Sequence, residues 1–201
     1  MATVSPYPVS VEGELAEDLS RWLWLVKWLL VIPHVIVLIF LWIAFLVLTI
    51  VAFFAILFTG KYPRGIFDFN VGVMRWTWRV TYYSYNALGT DRYPPFSLQT
   101  RDYPANLEVE YPEQLSRGLV LVKWWLLAIP HYLVTSSLGG GISYSGLTSL
   151  LAIFAGVSLL FTGRYPRDIF ELVIGFNRWA LRVLAYAALM RDEYPPFRLS
   201  P

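Results

Sequence analysis

Four arginines stand out because their spacing places each pair on one edge of a helix. Arg75 and Arg79 are four residues apart, as are Arg178 and Arg182. At about 100° per residue, Asp68, Arg75, Arg79 and Asn86 fall within a stripe about 40° wide, with Gly72 beside it. Glu171, Arg178 and Arg182 occupy the same stripe in a later segment, with Gly175 beside them. Arginine holds phosphates and carboxylates through two parallel N–H donors, so the chemistry on offer is anion binding. Four cations against two carboxylates leave an excess for a bound anion, and a phospholipid headgroup is the anion a membrane supplies. A structural alternative has Asp68 and Glu171 as counter-charges that pair with the arginines and fasten the helices. A third places the helices in the membrane plane with their arginines at headgroup level. The sequence leaves all three open.

His34 and His131 are the only histidines, and each follows Ile-Pro. Proline frees a carbonyl one turn earlier, and an imidazole N–H nearby is suited to satisfy it. They are therefore expected as polar residues at a helix kink. A two-histidine metal or haem site needs the two kinks to face each other, and a proton relay lacks a carboxylate close in sequence. There is no cysteine, so a disulfide, a thiolate nucleophile and a Cys metal site are excluded. There is no GxSxG, and Ser136 and Ser137 lack a neighbouring His-Asp pattern. Gly139-Gly140-Gly141 follows no strand and is a flexible break rather than a nucleotide fingerprint. The expectation is a protein that is not an enzyme, with no cofactor and no metal.

The elements that must position these residues are apolar. Of 201 residues, 57% are hydrophobic and only 15% charged, against roughly 25% charged in soluble domains. Residues 35–58 contain no charge, and a run of ~20 apolar residues suffices to cross a bilayer core. The chain is expected as a multi-pass protein of the cell (inner or plasma) membrane. A net charge of +2 is too balanced for a nucleic-acid partner. The first twenty residues lack the basic start and apolar core of a cleavable signal peptide, so insertion falls to the first internal apolar segment.

The chain repeats itself. Leu25-Val26-Lys27-Trp28 matches Leu121-Val122-Lys123-Trp124, and Ile32-Pro33-His34 matches Ile129-Pro130-His131. Phe58-Thr59-Gly60-Lys61-Tyr62-Pro63-Arg64 matches Phe161-Thr162-Gly163-Arg164-Tyr165-Pro166-Arg167, and Tyr93-Pro94-Pro95-Phe96 matches Tyr194-Pro195-Pro196-Phe197. The two units span 7–98 and 103–199. Each opens on an extended leader in which Val9 and Val11, or Leu107 and Val109, alternate with polar residues. Ser20 and Ser116 are expected N-caps of short Trp-rich helices over 21–32 and 117–129. These helices place Trp22, Trp24 and Trp28 at headgroup level, with Lys27 snorkelling. Pro33 and Pro130 then kink or break the helix before the long span. In unit two the span is interrupted at 136–141 and restarts near Gly146, ending near Phe161. Gly60 and Gly163 mark helix ends. A second helix follows, over 66–87 and 169–190, and then an aromatic-proline tail.

These motifs, in this order and twice over, resemble a bacterial membrane family, domain of unknown function 4389, found largely in actinobacterial and related genomes. The sequence departs from that pattern at Leu15-Ala16-Glu17-Asp18, where Tyr-Pro is missing, and at the glycine-rich interruption. The resemblance implies a membrane location and no agreed activity. The expected fold is an all-α integral membrane protein of two tandem helical hairpins. It has about four transmembrane helices, short Trp-rich interfacial helices and short extended segments. A pseudo-twofold axis along the membrane normal would put Tyr62 and Tyr165 on one side. Basic turns at 61–64 and 164–167 argue for the cytoplasm, whereas Arg21, Lys27, Arg117 and Lys123 lie near the other face, so orientation stays open.

The function expected is non-enzymatic: a lipid-interacting protein, or an accessory or scaffold subunit of a membrane complex. Its partners are then membrane lipids together with other membrane subunits or further copies of itself. A small transporter or channel component is the alternative. A lipid-modifying enzyme is a third, and it lacks an evident nucleophile or metal.

Overall fold

A computed structural model describes residues 7–139 and 146–200. The chain is mostly helical. Unit one contains strand β1 (Val9–Gly13), a single 3-10 turn (Leu23–Leu25), α1 (Lys27–Leu30), α2 (Ile32–Thr59) and α3 (Arg64–Tyr83). Unit two contains β2 (Ala105–Val109), α4 (Leu119–Val122), a π-turn (Lys123–Leu127), α5 (Ile129–Leu138), α6 (Leu147–Thr162) and α7 (Arg167–Ala187). The part of the glycine-rich interruption at 140–145 lies outside the described residues.

Local sequence explains the boundaries. Pro33 and Pro130 sit in the first turn of α2 and α5, where a missing N–H leaves nothing unsatisfied and the fixed φ is already helical. They begin helices, so of the two expected outcomes the structure has the break rather than the kink. The Trp-rich segments before them are broken into short turns rather than single helices. Gly60 and Gly163 end α2 and α6, each with φ 72°, the left-handed cap that glycine adopts without penalty.

Burial separates the helices into layers. In α2 only a narrow stripe is buried, formed by His34, Leu38, Phe45, Ala52 and Ile56. In α3 every residue from Asn70 to Tyr83 is buried except the half-buried Arg75. Asn70 Nδ2 donates to Thr49 Oγ1 at 3.2 Å and Trp42 Nε1 to Thr77 Oγ1 at 3.1 Å, so α2 and α3 form an antiparallel hairpin. The opposite face of α3, with Arg75, Trp78 and Tyr82, bonds to the strands and the segments beside them. α7 is likewise packed between α6 on one side and β1 on the other.

β1 and β2 pair antiparallel, with Val9 opposite Val109, Val11 opposite Leu107 and Gly13 opposite Ala105. Val9, Val11, Ala105, Leu107 and Val109 are buried against the helices, while Glu12 and Glu108 are exposed on the far face. The expected alternation of the leaders is therefore present, as a two-stranded sheet. The order of layers is sheet and tails, then α3 and α7, then α2 with α5 and α6.

α3 and α7 run antiparallel. The hydroxyl of Tyr62, just before α3, donates to the carbonyl of Ala188 just past α7 at 3.4 Å. The hydroxyl of Tyr165, just before α7, donates to Ala87 just past α3 at 2.7 Å. The pseudo-twofold axis is thus perpendicular to these helices. An axis along the membrane normal and helices that cross the membrane exclude each other.

The expected membrane elements are met in part. α2 and the segment Leu119–Ser136 are long and apolar enough to cross a membrane, and α6 is a shorter apolar helix. α3 and α7 are interior helices and do not pass that test. Trp22 and Trp28 are exposed as expected, whereas Trp24 is buried. Lys27 does not snorkel: it is 1% exposed.

Candidate functional site

The four arginines of the stripe line an internal seam, and each donates to main-chain carbonyls there, with Arg79 Nε and Arg182 Nε left without a partner among the described residues. Arg75 Nε donates to Leu107 O at 2.8 Å and its Nη1 to Leu98 O at 3.1 Å. Arg178 Nε donates to Val11 O at 3.2 Å and its Nη1 to Leu199 O at 2.9 Å. Each arginine therefore holds its own unit's tail and the other unit's strand. Arg79 donates to Ser97 O at 3.2 Å and Gln99 O at 2.7 Å. Arg182 donates to Ser200 O at 3.1 Å, and its guanidinium lies 5.5 Å from the centre of the Tyr7 ring. Burial pulls Arg79 and Arg182 down to about 10, so both stay cationic at neutral pH.

The expected counter-charges line the same clefts as Arg75 and Arg178 but form no ion pair with them among the described residues. Asp68 pairs with Arg64 at 3.2 Å in an exposed i, i+4 bridge. Glu171 is exposed and makes no ion pair among the described residues. The reason is geometric: both carboxylates sit at the start of their helix, while the tails cross the arginines one to two turns later. Gly72 and Gly175 permit that crossing, since a Cβ on either would lie 2.8 Å from the Cβ of Leu98 or Leu199.

Two equivalent clefts flank the seam. In unit two a cleft of about 700 Å³ is lined by Glu14, Arg167, Phe170, Glu171 and Arg178. In unit one the counterpart, about 490 Å³, is lined by Arg64, Phe67, Asp68, Arg75 and Tyr111. The clefts differ in how their outer arginine is held. Arg64 pairs with Asp68 and lies 4.5 Å from the centre of the Tyr111 ring. Leu15 takes the place of Tyr111 in the other cleft, and Arg167 has no partner among the described residues.

Two buried lysines escaped the sequence reading as interior groups. Lys27 Nζ lies 2.9 Å from Asp91 Oδ1 and donates to Thr90 O at 2.7 Å. Lys123 Nζ lies 2.7 Å from Asp192 Oδ1 and donates to Arg191 O at 3.0 Å. Burial lowers the Lys27 ammonium, and the Asp91 carboxylate opposes that shift. Asp91 and Asp192 also accept the main-chain N–H of Ser20 and Ser116. The signal was available, because each aspartate stands two residues before the repeated Tyr-Pro-Pro-Phe.

His34 and His131 are fully buried, and they do not satisfy a carbonyl freed by proline. Trp76 Nε1 donates to His34 Nδ1 at 3.1 Å, and Trp179 Nε1 to His131 Nδ1 at 3.2 Å. Phe96 stacks on His34 at 3.9 Å between ring centres and Phe197 on His131 at 4.2 Å. The imidazoles thus bind each unit's tail to its helices. Trp76 and Trp179 were visible as repeated residues, but nothing in spacing links them to histidines 42 and 48 positions away. Among the described residues no group of three His, Cys, Asp or Glu side chains is placed to hold a metal ion.

A twice-occurring seam, lysine pair and histidine cage point to one domain used twice. The family model for domain of unknown function (DUF4389) matches residues 21–97 and again 120–198. The chain belongs to this family. No curated protein and no solved structure matches it. The first DUF4389 copy includes Arg75, Arg79 and His34, and the second Arg178, Arg182 and His131. Both strands lie outside the matched residues, so the sheet that joins the copies comes from segments flanking the domain.

Proposed function

We propose that this DUF4389 protein is a non-enzymatic integral membrane protein of the cell membrane. It works by interacting with lipid, as an accessory or scaffold subunit of a membrane assembly. The observation behind this reading is the outer layer. Along α2, Phe40, Leu46, Ile50 and Phe58 are between 52% and 72% exposed, and on α6 Leu150, Phe154 and Phe161 are between 62% and 77% exposed. Soluble monomers expose apolar patches of only a few hundred Å². A helix apolar around its whole circumference belongs in lipid or in a protein core, and this one is not in the core.

The expected arrangement has about four crossings, and among the described residues α2 and Leu119–Ser136 have the length and composition for one. The reading therefore rests on embedding rather than on a count of crossings. The channel alternative needs a polar path, and carbonyls bond most of the seam's arginine donors, leaving Arg79 Nε and Arg182 Nε buried without a partner among the described residues. Anion binding is retained for the cleft of unit two, where Arg167 is open. Alkaline carbonate extraction followed by flotation with vesicles tests the assignment. The protein should stay with the membrane and leave it only in detergent. Recovery as a monodisperse protein in carbonate without detergent overturns it.

A further inference from the structure

We infer that the protein lies flat in one leaflet, with α2 and α6 parallel to the membrane plane and the sheet in water. Anionic headgroups are then held at the two ends of the apolar layer by Arg21 with Arg164 and by Arg117 with Lys61. The inference rests on the membrane reading above and specifies its geometry.

The strands decide the orientation. Trp78 donates to Glu12 O, Arg75 to Leu107 O and Tyr82 to Glu14 O, so the sheet lies along the middle and second half of α3. If α3 and its hairpin partner α2 crossed the bilayer, the sheet would sit beside them near mid-depth. Glu12 and Glu108 would then face lipid, as would the open edges of two strands. Open sheet edges do not occur in the hydrocarbon region, and acidic side chains there are among the costliest. Turning the molecule by a right angle removes the conflict. The sheet and tails then face water, α3 and α7 form the middle layer, and the charge-free α2 layer meets the acyl chains.

Helix lengths agree with this. α2 is about 42 Å long and α6 about 24 Å, against a hydrocarbon core of about 30 Å. As an upright crossing α2 exceeds that thickness, and α6, which matches only the second half of α2 in the repeat, falls short of it. Lying flat, neither has a length to match.

The ends of the layer carry cations that form no ion pair among the described residues, and the nearby Asp91 and Asp192 are held by the Ser20 and Ser116 amides and by Lys27 and Lys123. Arg21 lies against the turn that closes α6, where a Cβ on Gly163 would lie 2.5 Å from its Nη2. Arg117 lies against the turn that closes α2, where a Cβ on Gly60 would lie 3.5 Å from its Nε. The residue after each of these glycines is a second cation, Arg164 or Lys61. All four side chains are exposed, and none forms an ion pair with a described residue. A helix C-terminus favours one nearby cation and does not account for a second one beside it. A phosphate at the edge of an immersed layer complements both.

Spin labels at Ile36, Ile43 and Ile50 provide the test. These residues are 54%, 57% and 52% exposed and lie seven apart on one helix face. The full chain is reconstituted in phosphatidylcholine vesicles containing phosphatidylglycerol, and depth is read from collisions with oxygen and a nickel chelate. Flat seating gives one depth for all three. A crossing spreads them over about 21 Å and overturns the inference while leaving the membrane reading intact. Protection from both reagents means a second copy or another protein covers α2, and also overturns it. Failure to enter vesicles removes the membrane reading itself. In a second arm, Arg21→Gln with Arg164→Gln, and Arg117→Gln with Lys61→Gln, should each weaken preference for phosphatidylglycerol over phosphatidylcholine. The expected loss is about fivefold per cation removed. An unchanged preference overturns the headgroup sites.

Discussion

Val11 and Leu107 face each other across the β1–β2 ladder, and they are also the same position in the two repeats. Tyr7 aligns with Tyr103 and Glu17 with Glu113, and that register carries Val11 onto Leu107. The pseudo-twofold axis therefore passes between these two residues. Their carbonyls are the ones that Arg178 and Arg75 hold from the opposite unit. Neither repeat completes its own sheet, and Arg75 and Arg178 each take one acceptor from the other unit, so the two units form one closed structure.

This arrangement predicts which charges matter. Arg75→Gln or Arg178→Gln leaves two partly buried carbonyls with a weaker donor, and each should cost about 1–3 kcal/mol. Lysine should not restore the loss, because one ammonium does not reproduce a planar fork aimed at two acceptors. Asp68→Ala removes only an exposed bridge and should cost less than about 1 kcal/mol. Thermal melts in detergent rank the variants. The reverse order would show that carboxylates, not carbonyls, balance the seam.

The lysine pairs should be more sensitive. Asp91→Ala leaves Lys27 buried without its counter-charge, as Asp192→Ala does for Lys123. Each change should cost about 3–5 kcal/mol. Lys27→Met combined with Asp91→Ala should recover much of that loss, since an uncharged side chain needs no partner. If the double variant is no more stable than the single one, the aspartate acts mainly through the Ser20 amide.

Alkali should unfold the protein for a stated reason. Burial raises Tyr62 and Tyr83 to about 12 and raises Tyr82 and Tyr103 as well. In the unfolded chain these phenols ionise near pH 10. The folded state then holds more protons than the unfolded one, so stability falls as pH rises. The contribution is intact below pH 10 and is lost progressively between about 10 and 12. Absorbance at 295 nm and circular dichroism followed together should show these tyrosines ionising with unfolding. Ionisation of all thirteen tyrosines near pH 10 in a folded protein would contradict the burial.

Much of the architecture was legible because it depends on local rules. Repetition revealed the two units, the glycines the ends of α2 and α6, and alternation the two strands. The 3.6-residue period placed Arg75 with Arg79 and Arg178 with Arg182 on one seam. What met those arginines was not legible. The carbonyls of Leu107 and Val11 come from the other unit, and a carbonyl leaves no mark on residue type. Lys27 looked like a surface residue because its partner, Asp91, is 64 positions away. His34 and His131 were misread for the same reason, since the tryptophans that bond them belong to the following helix. The antiparallel placement of α3 and α7 followed only from Tyr62 and Tyr165 reaching across to the opposite helix ends.

Two glycines of one helix should respond in opposite ways. At Gly65 an added Cβ meets nothing within 4 Å, whereas at Gly72 it would lie 2.8 Å from Leu98 Cβ and 3.0 Å from Leu98 O. Alanine at 65 keeps all contacts and reduces the freedom of the unfolded chain, so Gly65→Ala should stabilise α3 by up to about 1 kcal/mol. Gly72→Ala must push the tail off α3, which overpacks the site and should cost about 1–3 kcal/mol. The displaced tail carries the Leu98 and Ser97 carbonyls, so the cost should shrink in an Arg75→Gln background where the first of these is already released. A double-mutant cycle of Gly72→Ala with Arg75→Gln measures that coupling. Strict additivity would mean that the tail does not depend on Arg75 for its place, and that glycine alone sets its approach.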